Sequence, residues 1–201
     1  MAVIEIKNLE KAEKLLSGVK NGIERATTSA VNRSITTIKK DLKKDVTSNY
    51  AIKSSEIENK LSVKKATFSN TTGYITSKAP LLSLHKFFSS KKSDGTIYVR
   101  VKKRERKRAV KGKPYLFGKP FTATMKNGHK GIFQRKSKSR KESTRIQDLK
   151  TVSIPQMLGT ESIQEYIDKK APEILEKNMD REIERILKGY LWKKYMTWKQ
   201  N

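Results

Sequence analysis

The sequence predicts an α+β fold, a small antiparallel sheet flanked by a long N-terminal helix and a long C-terminal helix. Three observations lead there. Apolar residues recur at steps of three and four across Val19–Val46 and again from Ile163 to Leu191. Strand-like alternation and turn residues are confined to the stretch between them. Strand and helix patterns do not alternate along the chain, so a parallel βαβ arrangement is excluded.

The elements follow in order. Val3-Ile4-Glu5-Ile6 alternates and reads as a short strand. Leu9, Ala12, Leu15 and Leu16 make a first short helical face, interrupted at Ser17-Gly18. Val19, Ile23, Ala26, Ala30, Ile35, Ile38, Leu42 and Val46 then line one face of a helix of about 28 residues, ending near Asn49-Tyr50. Its Thr27-Thr28-Ser29 content is modest for a helix, so packing must hold it. Ser55-Glu56-Ile57-Glu58 has capping-box spacing and predicts a short helix to about Leu61. Val63–Ser69 and Gly73–Lys78 read as strands joined by Asn70-Thr71-Thr72. Leu81, Leu82, Leu84, Phe87 and Phe88 are apolar enough to dock on a core. Ser93-Asp94-Gly95 is a turn before the strand Thr96–Val101, with Ile97, Val99 and Val101 on one face. A basic loop runs to about Pro120. Phe121–Met125 and Ile132–Arg135 then form a hairpin across Asn127-Gly128, both tolerant of positive φ. Lys136–Arg145 reads as loop and Ser153–Gly159 as an ordered connector. Thr160 is a suitable N-cap for the last helix, which Pro172 should kink or restart. The domain reading is residues 1–160 as an α+β domain with basic inserted loops (about 102–120 and 135–148). Residues 161–201 form a helical segment packing on it or on a neighbouring subunit.

Composition bounds the function. The 201 residues include 46 Lys and Arg against 20 Asp and Glu, a formal net charge of +26. Hydrophobic residues are 35%, below the usual 45–50% or so. No apolar run reaches the length of a membrane span, and Ala2–Ile4 and Leu15–Leu16 are too short for a signal peptide. Zero cysteines exclude disulfides, Cys-ligated zinc and a thiol nucleophile. So large a self-repelling charge disfavours a compact monomer and points to a polyanion or an acidic protein surface as partner.

The charge is segregated. Residues 1–90 are net +8, residues 91–145 net +17 and residues 146–201 net +1. One cluster is Lys102, Lys103, Arg104, Arg106, Lys107 and Arg108, followed by Lys111 and Lys113. A second is Arg135, Lys136, Lys138, Arg140 and Lys141. Solvated loops are the plain reading. The functional one is a patch that contacts phosphate or carboxylate groups, and charge alone does not choose between DNA and an acidic protein.

Chemistry for catalysis is thin. The two histidines, His85 and His129, read as a packing residue and a turn residue. There is no His-Glu-x-x-His, phosphate loop or Gly-x-Gly-x-x-Gly. A two-metal nuclease would need more than Asp94, Glu105 and Glu142 in the basic middle. The acids Glu173, Glu176, Asp180 and Glu184 alternate with Lys177, Arg181 and Arg185, as solvated helix pairs do. The expectation is no enzyme, no metal and no cofactor. Among Tyr98, Tyr115, Phe117, Phe121 and Phe133, only Tyr115 and Phe117 stay open as platforms for single-stranded nucleic acid. Trp192, Tyr195 and Trp198 either clamp this chain's own core or anchor a subunit interface.

Several stretches carry a family resemblance: Ala30-Val31-Asn32-Arg33-Ser34, Asn49-Tyr50-Ala51-Ile52-Lys53, Ile57–Leu61, Ala79-Pro80-Leu81-Leu82, Phe121–Arg135 and Val152–Met157. The most specific are Asn-Gly-His-x-Gly-x-Phe-x-Arg and Ser-x-Pro-Gln-Met. With these the chain resembles the phage minor tail protein Z family, also described as tail completion proteins. The basic loop and Gly189–Asn201 fall outside the matching stretches. The resemblance implies a tail-terminator or neck-like fold and a structural virion protein at the head-proximal end of the tail. It further implies a homo-oligomeric ring, often sixfold, that completes the tail and supports head–tail joining and DNA positioning. Implied partners are the tail tube, sheath or terminator, the head connector and genomic double-stranded DNA in the lumen, with no membrane. The place of action is the virion neck, and the host cytoplasm during assembly. A ring about 30 Å thick would face roughly 18 DNA charges, whereas six middle segments offer roughly 100 positive ones. Most of the cations therefore fit acidic protein surfaces and a minority the lumen. The competing reading is a basic nucleic-acid-binding protein without catalytic activity. The near-neutral C-terminal third speaks against it.

Overall fold

The structure is a computed structural model that describes residues 9–138 and 145–200, with the backbone alone for Leu9, Phe88 and 193–200. The expected strand Val3–Ile6 lies outside the described residues. The fold is α+β, with mixed helices and small antiparallel sheets. The chain divides into two compact units that interleave in sequence: Met1–Leu42 with Leu61–Thr76 and Thr160–Asn201, and Lys43–Lys60 with Ser77–Gly159.

The first unit is mainly helical. Helix α1 (Leu9–Leu16) turns into α2 (Gly22–Asn49) through Val19 N–H to Leu16 C=O and Gly22 N–H to Val19 C=O, both 2.9 Å. Asn21 takes a left-handed φ of 51°, which Asn tolerates better than most residues. A Cβ on Gly22 would stand 3.0 Å from the Leu16 Cβ, tighter than ordinary contact, so glycine lets the turn close without displacing Leu16. Helix α5 (Glu161–Gln200) runs continuously through Pro172, without the restart that proline allows. The Thr160 carbonyl accepts its first N–H groups, from Ile163 and Gln164. Ala12, Leu16, Ala26, Ala30, Leu175, Met179, Ile183 and Ile186 form a buried core, with Val19, Ile23, Val31 and Leu187 against it.

Polar contacts fix the register of this packing. The stretch Ala30–Ser34 is used almost residue by residue. Ala30 is in the core. Asn32 clasps the Ala66 backbone both ways, Nδ2 donating to its carbonyl at 3.1 Å and Oδ1 accepting from its N–H at 2.9 Å. Arg33 Nε lies 2.7 Å from Oε1 of Glu182. Ser34 Oγ accepts from Asn178 at 2.9 Å and donates to the Ala30 carbonyl at 2.8 Å. Tyr166 donates to Asp41 at 2.7 Å. Burial first, then this carboxylate, raises its phenol pKa above the ordinary value.

Where one sheet was expected, three small ones form. The first pairs β1 (Leu61–Lys64) with β2 (Tyr74–Ser77), shorter than the expected Val63–Ser69 and Gly73–Lys78. The reason is local: Thr67 and Asn70 bond each other's backbones in a tight turn that ends the first strand early.

The second unit holds the other two sheets, both antiparallel. One has the order β3-β4-β5, from Phe88–Lys91, Ile97–Arg100 and Arg108–Ala109. The other has the order β6-β7-β8, from Phe117–Thr124, Lys130–Arg135 and Ile146–Asp148. Helix α3 spans Ser54–Glu58, but the expected capping box does not form: Lys53 is the N-cap and no side chain caps the helix. The capping box forms instead at Ser153 and Gln156, opening α4 (Ile154–Leu158), with Ile154 and Met157 fully buried. In the β6–β7 turn only Gly128 of the Asn-Gly pair takes positive φ, as in the longer hairpin loops. Leu82 and Leu84 pair with Val152, Thr151 and Leu149, which places the Ala79–Leu82 stretch against the chain entering α4.

Candidate polyanion-binding surface

The first basic cluster sits on a braced turn. Helix α2 ends with carbonyls that lack helical partners. Lys103 N–H donates to the Asn49 carbonyl and Ala51 N–H to the Val101 carbonyl, both at 2.8 Å, and Tyr50 bridges to Lys102. The last turn of α2 holds no basic residue of its own. The turn thus brings cationic residues to a helix end that favours positive charge. Every residue from Lys102 to Arg108 is exposed. Glu105 lies 4.0 Å from Lys102 Nζ and 3.8 Å from Arg108 Nη2. Such exposed pairs contribute little to stability, so the turn is held by its backbone.

The rest of the described basic residues gather on the β6–β7 hairpin and the segment before it. Lys111, Lys136 and Lys138 are exposed; Lys113 and Arg135 are half-buried. One buried amide pins the segment. Gln134 accepts from the Lys113 N–H at 2.8 Å and donates to the Gly118 carbonyl at 3.0 Å. Gly112, with φ 76°, lies so close that a Cβ would fall 2.5 Å from Gln134 Oε1. Leu116 is buried while its neighbours Tyr115 and Phe117 face outward. Each ring carries a cation: Lys113 Nζ lies 5.4 Å from the Tyr115 centroid and Lys138 Nζ 5.7 Å from Phe117. Arg135 lies 5.5 Å from Phe121. The hydrogen bond with Lys113 is the main cause that holds the Tyr115 phenol below its usual pKa.

The remaining candidates scatter. Arg140 and Lys141 lie outside the described residues, as do the side chains of Tyr195 and Trp198. Trp192 is 64% exposed on α5 beside exposed Tyr190 and Leu191. His129 Nε2 stands 3.2 Å from Asp148 Oδ2, whose other oxygen accepts from Ser83 at 2.8 Å. The order Ser-Asp-His puts the carboxylate between the other two, so the histidine cannot activate the serine as a base. Among the described residues no group of three or more His, Asp or Glu is placed to hold a metal, and no helix is long and apolar enough to cross a membrane.

Sequence reasoning passed over Glu182. It is fully buried among the charges of α5, with Arg33 on one oxygen and Arg185 at 2.7 Å from the other. The signal was its position, in step with Leu175, Met179 and Ile186 on the apolar stripe.

What the described geometry offers is charge displayed on a backbone-braced frame. The family model for prophage minor tail protein Z matches residues 6–193, and the chain belongs to that family. No curated protein and no solved structure matches the chain. Membership makes this a structural component of a bacteriophage tail, placed in the virion and in contact with other virion proteins.

Proposed function

We propose that the protein is a ring subunit at the head-proximal end of the tail, which completes the tail, supports head–tail joining and helps position the genome end. Copies associate into a ring, hexameric in the simplest reading, with Trp192, Tyr195 and Trp198 at subunit contacts. Tube, sheath or terminator and connector proteins meet its basic surface. The observation that supports this most directly is the turn Lys102–Arg108, wholly exposed yet tied by backbone bonds to the end of α2. A cation cluster held in one place loses little freedom when an acidic surface docks on it.

The test is charge reversal at Lys102, Arg104 and Lys107 to Glu, scored by electron microscopy for joined particles. Free heads and finished tails should accumulate. The reversal also weakens the helix-end charge, by about 0.3–1 kcal/mol. A melting curve on the purified variant therefore accompanies the count. Normal joining with misplaced DNA would refute the acidic-partner role of the turn.

A further inference from the structure

We propose that the β6–β7 hairpin face bearing Lys113, Arg135 and Lys138 on Tyr115, Phe121 and Phe117 grips the phosphodiester backbone of nucleic acid. The inference deepens the ring reading, from which it takes only a nucleic-acid neighbour. It separates the cations by job: the Lys102–Arg108 turn for protein, the hairpin for phosphate.

Charge is the first ground. From Lys111 to Lys141, beyond that turn, the sequence holds 10 Lys and Arg and no Asp or Glu. The nearest described carboxylate on this sheet, Asp148, is 14% exposed and already engaged by Ser83 and His129. The Lys102–Arg108 turn differs, because it carries its own Glu105.

The rings are the second ground. A cation resting on an aromatic face is held without neutralisation, so its charge stays available while its rotamers are restricted. Gln134 fixes the backbone beneath Lys113 and Gly118, the two points between which Tyr115 and Phe117 stand.

The alternatives fit worse. A protein strand added beside β6 would meet an edge built against pairing. That edge carries Lys119, Pro120 and a register shift between Phe117 and Phe121, all devices that block pairing. A protein interface also wants an apolar centre, whereas the ring faces here are occupied by cations. The amide of Gln134 is consumed by backbone, so it cannot read a base edge, and recognition is of backbone rather than sequence.

The experiment is fluorescence anisotropy with full-length protein and a labelled duplex of about 20 base pairs, or a single strand of equal length, across a salt series. Lys113→Gln/Arg135→Gln/Lys138→Gln should weaken duplex binding at least tenfold in about 0.1 M salt, and flatten the log–log salt slope by about 2.7, the value for three lost phosphate contacts. Phe117→Leu, which keeps every charge, should weaken binding about threefold with the slope unchanged, as lost preorganisation requires. Whichever of duplex and single strand binds more tightly identifies the form gripped. Wild-type affinity and slope in the triple variant would overturn the proposal. So would polyglutamate that binds as tightly as duplex and is lost equally in the triple variant, which would make the partner an acidic protein. If turn reversal spares head–tail joining while the hairpin variants still lose nucleic acid, the acidic-partner role of the turn fails and this assignment stands. If joining fails as expected but the hairpin variants bind normally, only this assignment falls.

Discussion

Glu182 allows a sharp test of what holds α2 to α5. Its carboxylate is fully buried, while the side chains of Arg33 and Arg185 are 48% and 56% exposed. The two sides of the cluster are therefore not equivalent. Arg33→Met with Arg185→Met keeps the aliphatic stems but strands a carboxylate in the interior. Stranding a buried charge costs about 3–5 kcal/mol, and the partial wetting of these partners places the cost near the lower figure. At 2–4 °C per kcal/mol, a loss of about 3 kcal/mol lowers the melting temperature by roughly 6–12 °C. Glu182→Leu removes the buried charge itself, and both guanidiniums can turn to water. Its cost should stay within about 1 kcal/mol. The assay is thermal and urea denaturation followed by far-ultraviolet circular dichroism, which the helical first unit dominates. An equal or larger loss in Glu182→Leu would refute the reasoning, because the ion cluster would then stabilise in its own right.

Other perturbations have equally direct outcomes. Gln134→Leu should cost about 2–3 kcal/mol and speed hydrogen exchange at the Lys113 amide, since two backbone groups lose their partner. Asn32→Ala should cost about 1–3 kcal/mol by releasing both groups of Ala66, measured by urea denaturation. Ser153→Ala removes the cap of α4 and should cost about 1 kcal/mol, seen as a shift in the urea midpoint with unchanged slope. Above the ordinary phenol pKa, an unfolded Tyr166 ionises while the folded one keeps its proton. Folding stability from this residue is therefore complete below that pH and declines above it. A denaturation series in alkaline buffers should show a shallower decline for Tyr166→Phe than for the parent protein.

Long-period features were legible in the sequence. The apolar stripe from Val19 to Val46 located α2 and its end at Asn49, while its start lies three residues later at Gly22 because Val19 is taken by the turn from α1; tertiary packing rewards the same residues that make the stripe. Asn127-Gly128 located the second hairpin for a similarly local reason. Pairing that depends on a distant partner was not legible. Phe88–Lys91 reads Phe-Ser-Ser-Lys, with no strand preference of its own, and becomes β3 only by lying against Ile97–Arg100. Arg108–Ala109 and Ile146–Asp148 are too short to show alternation. Ser55 and Ser153 show the limit of motif reading: both have the box spacing, but α3 starts from Lys53, which leaves Ser55 inside the helix, whereas Ser153 stands at the N-cap of α4. In the basic surface, sequence gave the cations. It did not show which of them rest on rings or which amide holds them, since Gln134 looks like any polar strand residue.

The acid-free run from Lys111 to Lys141 has a further consequence for the proposed nucleic-acid contact. With no Asp or Glu to protonate, the run keeps its cationic excess when the medium is acidified. Proton concentration is thus a poor dial for loosening anything held there, and counter-ion supply is the effective one. On the proposed reading, nucleic acid held at this hairpin would respond to a change in surrounding cations long before it responded to a change in acidity.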